Sequence, residues 1–291
     1  MADLDRAIEE MAAALDRVRA TTPLVHCITN YVTVNDCANT LLACGGSPIM
    51  SDEPDDVADI TSVCGGLVLN IGTLNARSIE AMHVAGARAA DLGHPIVLDP
   101  VGAGASKLRT ETAGALLDEL PIACVRGNMS EIKALAGVSA ATRGVDVNPD
   151  DVVTDENLRT SAAFASDFAR RTDSVVAITG AIDIVANAER AFAVRNGVAM
   201  MGRITGSGCM LTCVVAAYLT ANADAPLEAA LSAVAGMGLA GQRALACMKP
   251  TEGNATFRTH LIDELYRMTA DVLAYGARVE PIALPDAEDA A

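Results

Sequence analysis

The stretch at residues 66–100, GLVLNIGTLNARSIEAMHVAGARAADLGHPIVLDP, decides the fold of this chain. Its two ends, residues 66–70 and 95–99, are short apolar runs of the kind found in buried strands. Between them, apolar side chains recur with helical spacing at Ile79, Met82, Ala85 and Ala89. A strand, a helix and a second strand in this order predict two parallel strands joined by a helical crossover.

The same alternation runs through most of the chain. Further strand patterns lie at residues 24–28, 47–50, 122–126 and 174–179, and a hairpin is predicted at 183–195 with its turn at 187–189. Helices are predicted around residues 4–18 and at 208–221, 226–246 and 256–275. Near-continuous apolar strands are covered on both faces. We therefore predict an α/β fold with a central, mostly parallel sheet and helices on both faces.

Composition and charge exclude several classes of function. The net charge of −16 argues against nucleic acid or an anionic membrane as a partner. No apolar run approaches the roughly 20 residues of a membrane helix, and the first residues lack the pattern of a signal peptide, so we expect a cytoplasmic protein. With no repeat or linker in the sequence, we expect residues 1–279 to form one domain and the acidic residues 280–291 a flexible tail.

The cysteines and histidines show no metal-binding pattern. The eight cysteines are scattered without a C-x-x-C pair, and the four histidines have no ligand spacing relative to them. We expect reduced thiols, most of them buried as small apolar groups, and no zinc site.

The sequence Gly206-Ser207-Gly208-Cys209 directly precedes the apolar run at 210–218. Glycines let the backbone approach a ligand closely, and a helix that starts there directs unpaired N–H groups at an anion. These residues therefore predict an anion-binding cradle, most often used for phosphate. The alternative is a glycine turn before a buried helix.

Several predicted strands end on polar residues, at the edge where open α/β sheets bind ligands. Asp99 ends one strand, Arg126 and Asn128 follow another with Glu131 one turn further on, and Thr179 ends a third. Two carboxylates, Asp99 and Glu131, suit Mg²⁺, and Arg126 suits phosphate oxygens. Each also has a purely structural alternative: a turn at Asp99, a capping box between Asn128 and Glu131, and a loop at Thr179. Together they favour phosphoryl transfer, although the Walker sequence G-x-x-x-x-G-K-[ST] is absent.

Five stretches of the chain together resemble the hydroxyethylthiazole kinases. They are HCITNYVTVN at 26–35, GSPIM at 46–50, LDPVGA at 98–103, RGNMSEI at 126–132 and TGSGCML at 205–211. The resemblance runs in order from about residue 5 to residue 275. It implies a ribokinase-like fold, MgATP as phosphoryl donor, and the primary alcohol of 4-methyl-5-(2-hydroxyethyl)thiazole as acceptor in thiamine salvage. It also implies a homotrimer with active sites between neighbouring subunits.

The resemblance also implies roles for individual residues. The substrate side would consist of Met50, which would line the thiazole pocket, with Asn30 near it and Gly206 touching the substrate. The ATP side would consist of Arg126, Thr179, Asn128 and Gly208, and the magnesium region of Asp99 and Glu131. Met50 suits this role by itself because a flexible thioether packs well against a flat sulfur heterocycle, although a core methionine at a strand end is the alternative.

Cys209 stands where the wider ribokinase-like group usually has a catalytic aspartate. A helix N-terminus lowers the pKa of a thiol, so we predict Cys209 to be either a modest general base or a wall of the pocket. A base is not required, because the acceptor hydroxyl loses its proton late in a loose transition state.

Two other functions remain open. Pyrimidine and pyridoxal-type kinases share the fold, and some have a cysteine at the same place, but the stretch at 30–35 argues against them. A ligand-binding sensor on a kinase fold is disfavoured, because a sensor has no need of groups that neutralise a transferring phosphate.

Overall fold

A nine-stranded sheet forms the centre of the computed structural model, which describes residues 2–138 and 151–285. Its strands are β1 Leu24–Ile28, β2 Ser47–Met50, β3 Gly66–Asn70, β4 Ile96–Asp99, β5 Ile122–Asn128, β6 Val175–Thr179, β7 Asp183–Ala186, β8 Ala191–Val194 and β9 Val279–Ile282. They are arranged in the order β2-β1-β3-β4-β5-β6-β7-β8-β9. The first six are parallel, and β7, β8 and β9 continue the sheet antiparallel. The mostly parallel sheet is confirmed, and the predicted strand bounds are met to within two residues.

Helices cover both faces of the sheet, as predicted. One face carries α1 Ala2–Thr21, α2 Val34–Cys44, α8 Ser207–Ala221, α9 Pro226–Cys247, α10 Asn254–Tyr266 and α11 Ala270–Gly276. The other carries α3 Val57–Val63, α4 Ala76–Leu92, α5 Lys107–Glu119, α6 Met129–Leu135 and α7 Leu158–Thr172. Alternate strand residues serve the two cores: Val68 and Val97 face the first, whereas Leu69 and Leu98 face the second.

Two regions differ from the sequence prediction. The helix predicted at 256–275 is two helices, because the Thr269 side chain accepts a hydrogen bond from Val272 N and caps a new helix there. Val279–Ile282 form β9, where the sequence predicts the beginning of a flexible tail. This strand covers the edge of β8, and Arg195 binds Glu280 across it at 2.9 Å. Residues 286–291 of the predicted tail lie outside the described part.

The strand order reverses between β1 and β3. After β1 the chain passes through α2 on one face to β2, whereas after β3 it passes through α4 on the opposite face to β4. The loops after β1 and β3 therefore diverge and leave a crevice at the carboxyl ends of these strands. None of the helices in the described ranges is long and apolar enough to cross a membrane.

Candidate active site

Asp99 lies at the carboxyl end of β4 and is completely buried. Its Oδ2 atom accepts hydrogen bonds from Asn70 Nδ2 at 2.8 Å and from Thr212 Oγ1 at 2.7 Å. Its Oδ1 atom has no hydrogen-bond partner among the described residues, and Arg126 Nη1 lies 3.6 Å from it. A buried carboxylate oxygen without a hydrogen bond is costly, and Arg126 is the charged neighbour that offsets this cost.

Arg126 connects this carboxylate to two other predicted site residues. Its guanidinium donates a hydrogen bond to Thr179 Oγ1, at the end of β6. It also lies against the N-terminus of α8, where a Cβ added to Gly208 would be only 2.4 Å from Nη1. The side chain is mostly buried, and its Nε has no partner within the described ranges. The structure thus brings Asp99, Arg126, Thr179 and Gly208 together around one cationic fork.

Glu131 and Asn128 form the capping box that the sequence allowed as an alternative. The Asn128 side chain accepts from Glu131 N at 2.9 Å, and Glu131 Oε2 accepts from Asn128 N at 2.8 Å. Glu131 Oε1 accepts in addition from Gly102 N, at 2.8 Å, in the loop after β4. The cap therefore places a second buried carboxylate beside Asp99.

The electrostatics of this pair favour a bound cation. Burial, together with the neighbouring Asp99, raises the pKa of Glu131 to about 7. Burial also raises the pKa of Asp99, although Arg126 acts in the opposite direction. Both carboxylates are thus held in a region that disfavours negative charge, which a cation would relieve. The described residues contain no group of three or more ligands that could hold a metal ion alone.

Gly206 turns the chain into α8, as both the predicted anion cradle and the alternative glycine turn require. Gly206 has a φ of +77°, a conformation that favours glycine, and α8 begins at the next residue. A Cβ at Gly206 would lie 2.1 Å from Thr33 Cγ2. Glycine is therefore required both for the backbone turn and for close packing against the loop after β1.

Asn30 and Cys209 are brought together across that contact. Asn30 Nδ2 donates to Cys209 Sγ at 3.2 Å and to Asn70 Oδ1 at 3.1 Å, while Asn30 Oδ1 accepts from Thr33 N and Thr33 Oγ1. Burial raises the pKa of Cys209 to about 12, with a further contribution from Asp99. The expectation that the helix N-terminus lowers this pKa is therefore wrong, because desolvation and a neighbouring carboxylate outweigh the helix dipole. Burial and Asp99 thus favour the thiol of Cys209 over its thiolate.

Met50 ends β2, an edge strand of the sheet, where it is half-buried and packs against the first of the two cores. It lies beside Cys27 of β1, and the loop that follows β1 carries Asn30. The structure thus places Met50 and Asn30 at the ends of adjacent strands.

Sequence reasoning missed three residues of this network: Asn70, Thr33 and Thr212. Asn70 could have been found, because it ends a predicted strand just as Asp99 does, and the two are paired in the sheet. Thr33 follows Asn30 by three residues and gave no separate signal. Thr212 is hidden in the apolar run of α8, where a lone threonine is common.

Comparison with known proteins identifies close relatives. A model of the Hydroxyethylthiazole kinase family matches residues 15–271. The chain is 52% identical to a hydroxyethylthiazole kinase of Clostridium acetobutylicum, over 91% of this chain and 97% of the relative. It is 48% identical to the corresponding kinase of Desulfovibrio desulfuricans, over 92% and 96%.

Solved structures agree with these relatives. The hydroxyethylthiazole kinase protein from Pyrococcus horikoshii OT3 superposes with a TM-score of 0.82 at 35% identity, covering 94% of this chain and 99% of that one. The pyridoxal kinase from Staphylococcus aureus in complex with pyridoxal reaches 0.55 at 16% identity over 89% and 98%, which shows a shared fold alone.

Proposed function

This chain belongs to the hydroxyethylthiazole kinase family, and from that premise we propose which residues perform each part of its reaction. The protein is an ATP-dependent kinase that phosphorylates the primary alcohol of 4-methyl-5-(2-hydroxyethyl)thiazole in thiamine salvage. The observation that best supports the assignment of the site is the convergence of Arg126 and Asp99 on the N-terminus of α8.

The phosphates of ATP are held at the start of α8 and by Arg126. The unpaired N–H groups of the helix favour anions, and the guanidinium offers several fixed donors for phosphate oxygens. Thr179, Asn128 and Gly208 adjoin this position and complete the nucleotide side. Phosphoryl transfer depends mainly on positioning and on neutralising charge, which is what these groups supply.

Asp99 and Glu131 fit a Mg²⁺ ion that arrives with the nucleotide. Asp99 Oδ1 is buried without a hydrogen-bond partner in the described part of the chain, and each Glu131 oxygen receives one backbone N–H, which leaves further acceptor capacity. Mg²⁺ is usually bound through one or two carboxylates together with waters and substrate phosphates. When bound, it would neutralise negative charge on the phosphates.

The acceptor side is neutral. Met50 packs against the thiazole ring, Asn30 lies beside it, and Gly206 leaves room for the alcohol at the cradle. Cys209 forms a wall of this pocket as a thiol, because its pKa of about 12 keeps it protonated. The chain therefore uses no thiolate base, in keeping with a proton that leaves the acceptor hydroxyl late.

The protein is proposed to work as a homotrimer with active sites between subunits. Four exposed apolar residues on the loop after β1 and on α2 form what we call the β1–α2 patch: Tyr31, Val32, Val34 and Leu42. Tyr31 and Leu42 are 77% and 55% exposed, and β2 beside them is the sheet edge. Exposed apolar residues beside an unpaired strand edge are typical of a surface covered by another chain.

A parallel assay tests the substrate. The protein is incubated with MgATP and either the thiazole alcohol, the pyrimidine alcohol of the same vitamin, or pyridoxal, and ADP release and the phosphorylated product are measured. We expect the thiazole alcohol to be the preferred acceptor. Equal or faster turnover with either of the other two would overturn the substrate assignment.

A further inference from the structure

The two oxygens of Asp99 are treated differently by the protein. Oδ2 receives two hydrogen bonds, from Asn70 and Thr212, whereas Oδ1 receives none from the described residues. Two donors of this strength on one atom fix both the position and the rotation of the carboxylate. The other oxygen is thereby left without a hydrogen bond from the described residues and faces Arg126.

The side-chain amide of Asn70, the donor on β3, has only one possible orientation. Asn70 Oδ1 accepts from Asn30 Nδ2 at 3.1 Å and from Gly72 N at 2.9 Å, while Asn70 Nδ2 donates to Asp99. A reversed amide would place its NH₂ group against two other donors and its oxygen against a carboxylate. The network therefore determines the orientation of the amide, and Asn70 connects the residue at the acceptor pocket to the carboxylate at the nucleotide side.

The donor from α8 is a threonine in an apolar helix. Thr212 is completely buried, and its hydroxyl lies 2.7 Å from Asp99 Oδ2 and 3.2 Å from Gly208 O, one turn earlier in the helix. The shorter distance and the negative charge favour Asp99 as the acceptor. The helix that begins with the glycine cradle is thus attached to the carboxylate one turn further on.

We propose that Asn70 and Thr212 are positioning residues that hold Asp99 through Oδ2, so that Oδ1 remains available to the divalent cation of the nucleotide complex. The inference rests on the proposed role of Asp99 and extends it to the two residues that donate hydrogen bonds to it. Residues that orient a metal-binding side chain typically change metal affinity by about 10- to 100-fold when they are removed.

The decisive variant is Thr212→Val, which keeps the shape of the side chain and removes the donor. Binding of Mn²⁺ is measured by titration calorimetry on the full chain saturated with a non-hydrolysable ATP analogue. We expect the Mn²⁺ dissociation constant to rise about 10- to 100-fold, and the Mg²⁺ concentration for half-maximal activity to rise with it. The matched control is Thr40→Val, because Thr40 is equally buried and its hydroxyl has no partner in the described residues.

Asn70→Ala provides an independent test from the other side, with Asn222→Ala as its control. Asn222 is also completely buried, but it binds the backbone at Tyr218 O, at the far end of α8. Both variants should lose stability, whereas only Asn70→Ala should weaken Mn²⁺ binding. Should Asn70→Ala not fold, Thr212→Val decides alone.

Asp99→Asn separates failure of this inference from failure of the proposed function. If Asp99→Asn weakens Mn²⁺ binding but folded Thr212→Val binds like the wild type, the positioning role is wrong and the role of Asp99 stands. If Asp99→Asn also binds Mn²⁺ like the wild type, the cation site itself is wrong, and the positioning role with it.

Discussion

The ends of β4, β5 and β6 and the ends of β1 and β2 lie at the same edge of the sheet, yet they differ in chemistry and exposure. At β4 and β5, Asp99 and Arg126 are buried charged groups that lie 3.6 Å apart. At β1 and β2, Asn30 and Met50 are neutral, and the exposed β1–α2 patch begins one residue after Asn30. One half of the proposed site is thus a charged network inside the chain, and the other is a set of neutral residues near a sheet edge.

The difference agrees with the part that we propose for each half in the reaction. Phosphates need fixed charges in a place that excludes water, and the centre of a sheet covered on both faces offers that environment. A small heterocycle needs shape more than charge, which neutral side chains such as Asn30 and Met50 would supply. We therefore expect changes at the strand ends of the nucleotide side to act on catalysis, and changes at the sheet edge to act on the acceptor and on assembly.

The largest effect is expected for Arg126→Ala. This change removes the fork that approaches both Asp99 and the start of α8, and arginines that neutralise a transferring phosphate contribute at least about 10³-fold to kcat. Steady-state kinetics with saturating thiazole alcohol measures the loss. Arg88→Ala is the control, because that half-buried arginine binds Ser62 away from the strand ends.

A folded Arg126→Ala protein whose kcat stays within tenfold of the wild-type value would contradict the division of the site into a nucleotide half and an acceptor half. It would mean that the charged network at β4 and β5 serves stability alone. Circular dichroism and a melting curve are required, because the change also leaves Asp99 buried without its cationic neighbour.

The next effect is expected for Gly206→Ala, which acts where the two halves touch. The added methyl group would lie 2.1 Å from Thr33 Cγ2, and the positive φ adds backbone strain. We expect unfolding in denaturant to show a loss of about 1–3 kcal/mol in the free energy of unfolding. We also expect a fall in kcat/KM for the alcohol that is larger, as a fold-change, than the change in KM for ATP. Gly114→Ala is the control, because a Cβ there meets no atom within 4 Å.

If Gly206→Ala changed KM for ATP and left the alcohol unaffected, the contact between the cradle and the loop after β1 would belong to the nucleotide side. The boundary between the two halves would then have to be moved toward the sheet edge.

The strand ends of the nucleotide side were predictable, because strands buried on both faces are apolar until their last residue. Asp99 and Thr179 therefore stand out in the sequence, and Asn70 follows the same rule. Thr212 does not, since only the folded chain shows that one side of an apolar helix meets Asp99. The capping geometry of Asn128 and Glu131 was predicted as an alternative and is present, together with a position beside Asp99 that local sequence cannot reveal.

The pKa of Cys209 shows why the other properties of the site could not be predicted from the sequence. The local sequence contains a helix N-terminus, which favours the thiolate. The opposing effects come from burial and from Asp99, which lies on a different element far away in the chain. The size of the desolvation effect depends on everything that covers a group. The sign of the net pKa shift could therefore be determined only from the packed structure.

A smaller effect is expected for Leu42→Asp in the β1–α2 patch. A buried charge at a subunit interface costs about 2 kcal/mol or more, which weakens association roughly 30-fold. Sedimentation velocity should show a shift from trimer to smaller species, with a higher KM for the alcohol. Val63→Asp is the control, since Val63 is also an exposed apolar residue but lies on α3, which packs against the opposite face of the sheet. A trimer that persists in Leu42→Asp would exclude the patch as the interface.

The smallest effect is expected for Cys209→Ala. A pKa of about 12 leaves the thiol protonated from pH 6 to pH 9, so removing it takes away no base. General bases typically contribute about 10²- to 10⁴-fold, whereas we expect kcat to change by less than about tenfold. The pH profiles of wild type and variant should have the same shape, because Cys209 does not titrate in this range.

Cys209→Asp sharpens this last prediction, because it distinguishes a pocket wall from a base. The new carboxylate would replace a thiol whose pKa is raised by burial and by Asp99. Its negative charge would be opposed by the charge of Asp99. We expect Cys209→Asp to be less active than Cys209→Ala in proteins that fold equally well. If aspartate instead restored or raised kcat above that of the wild type, the position would accept a base after all. The thiol of the natural chain would then have to ionise when both substrates are bound, and the neutral character of the acceptor half would be wrong.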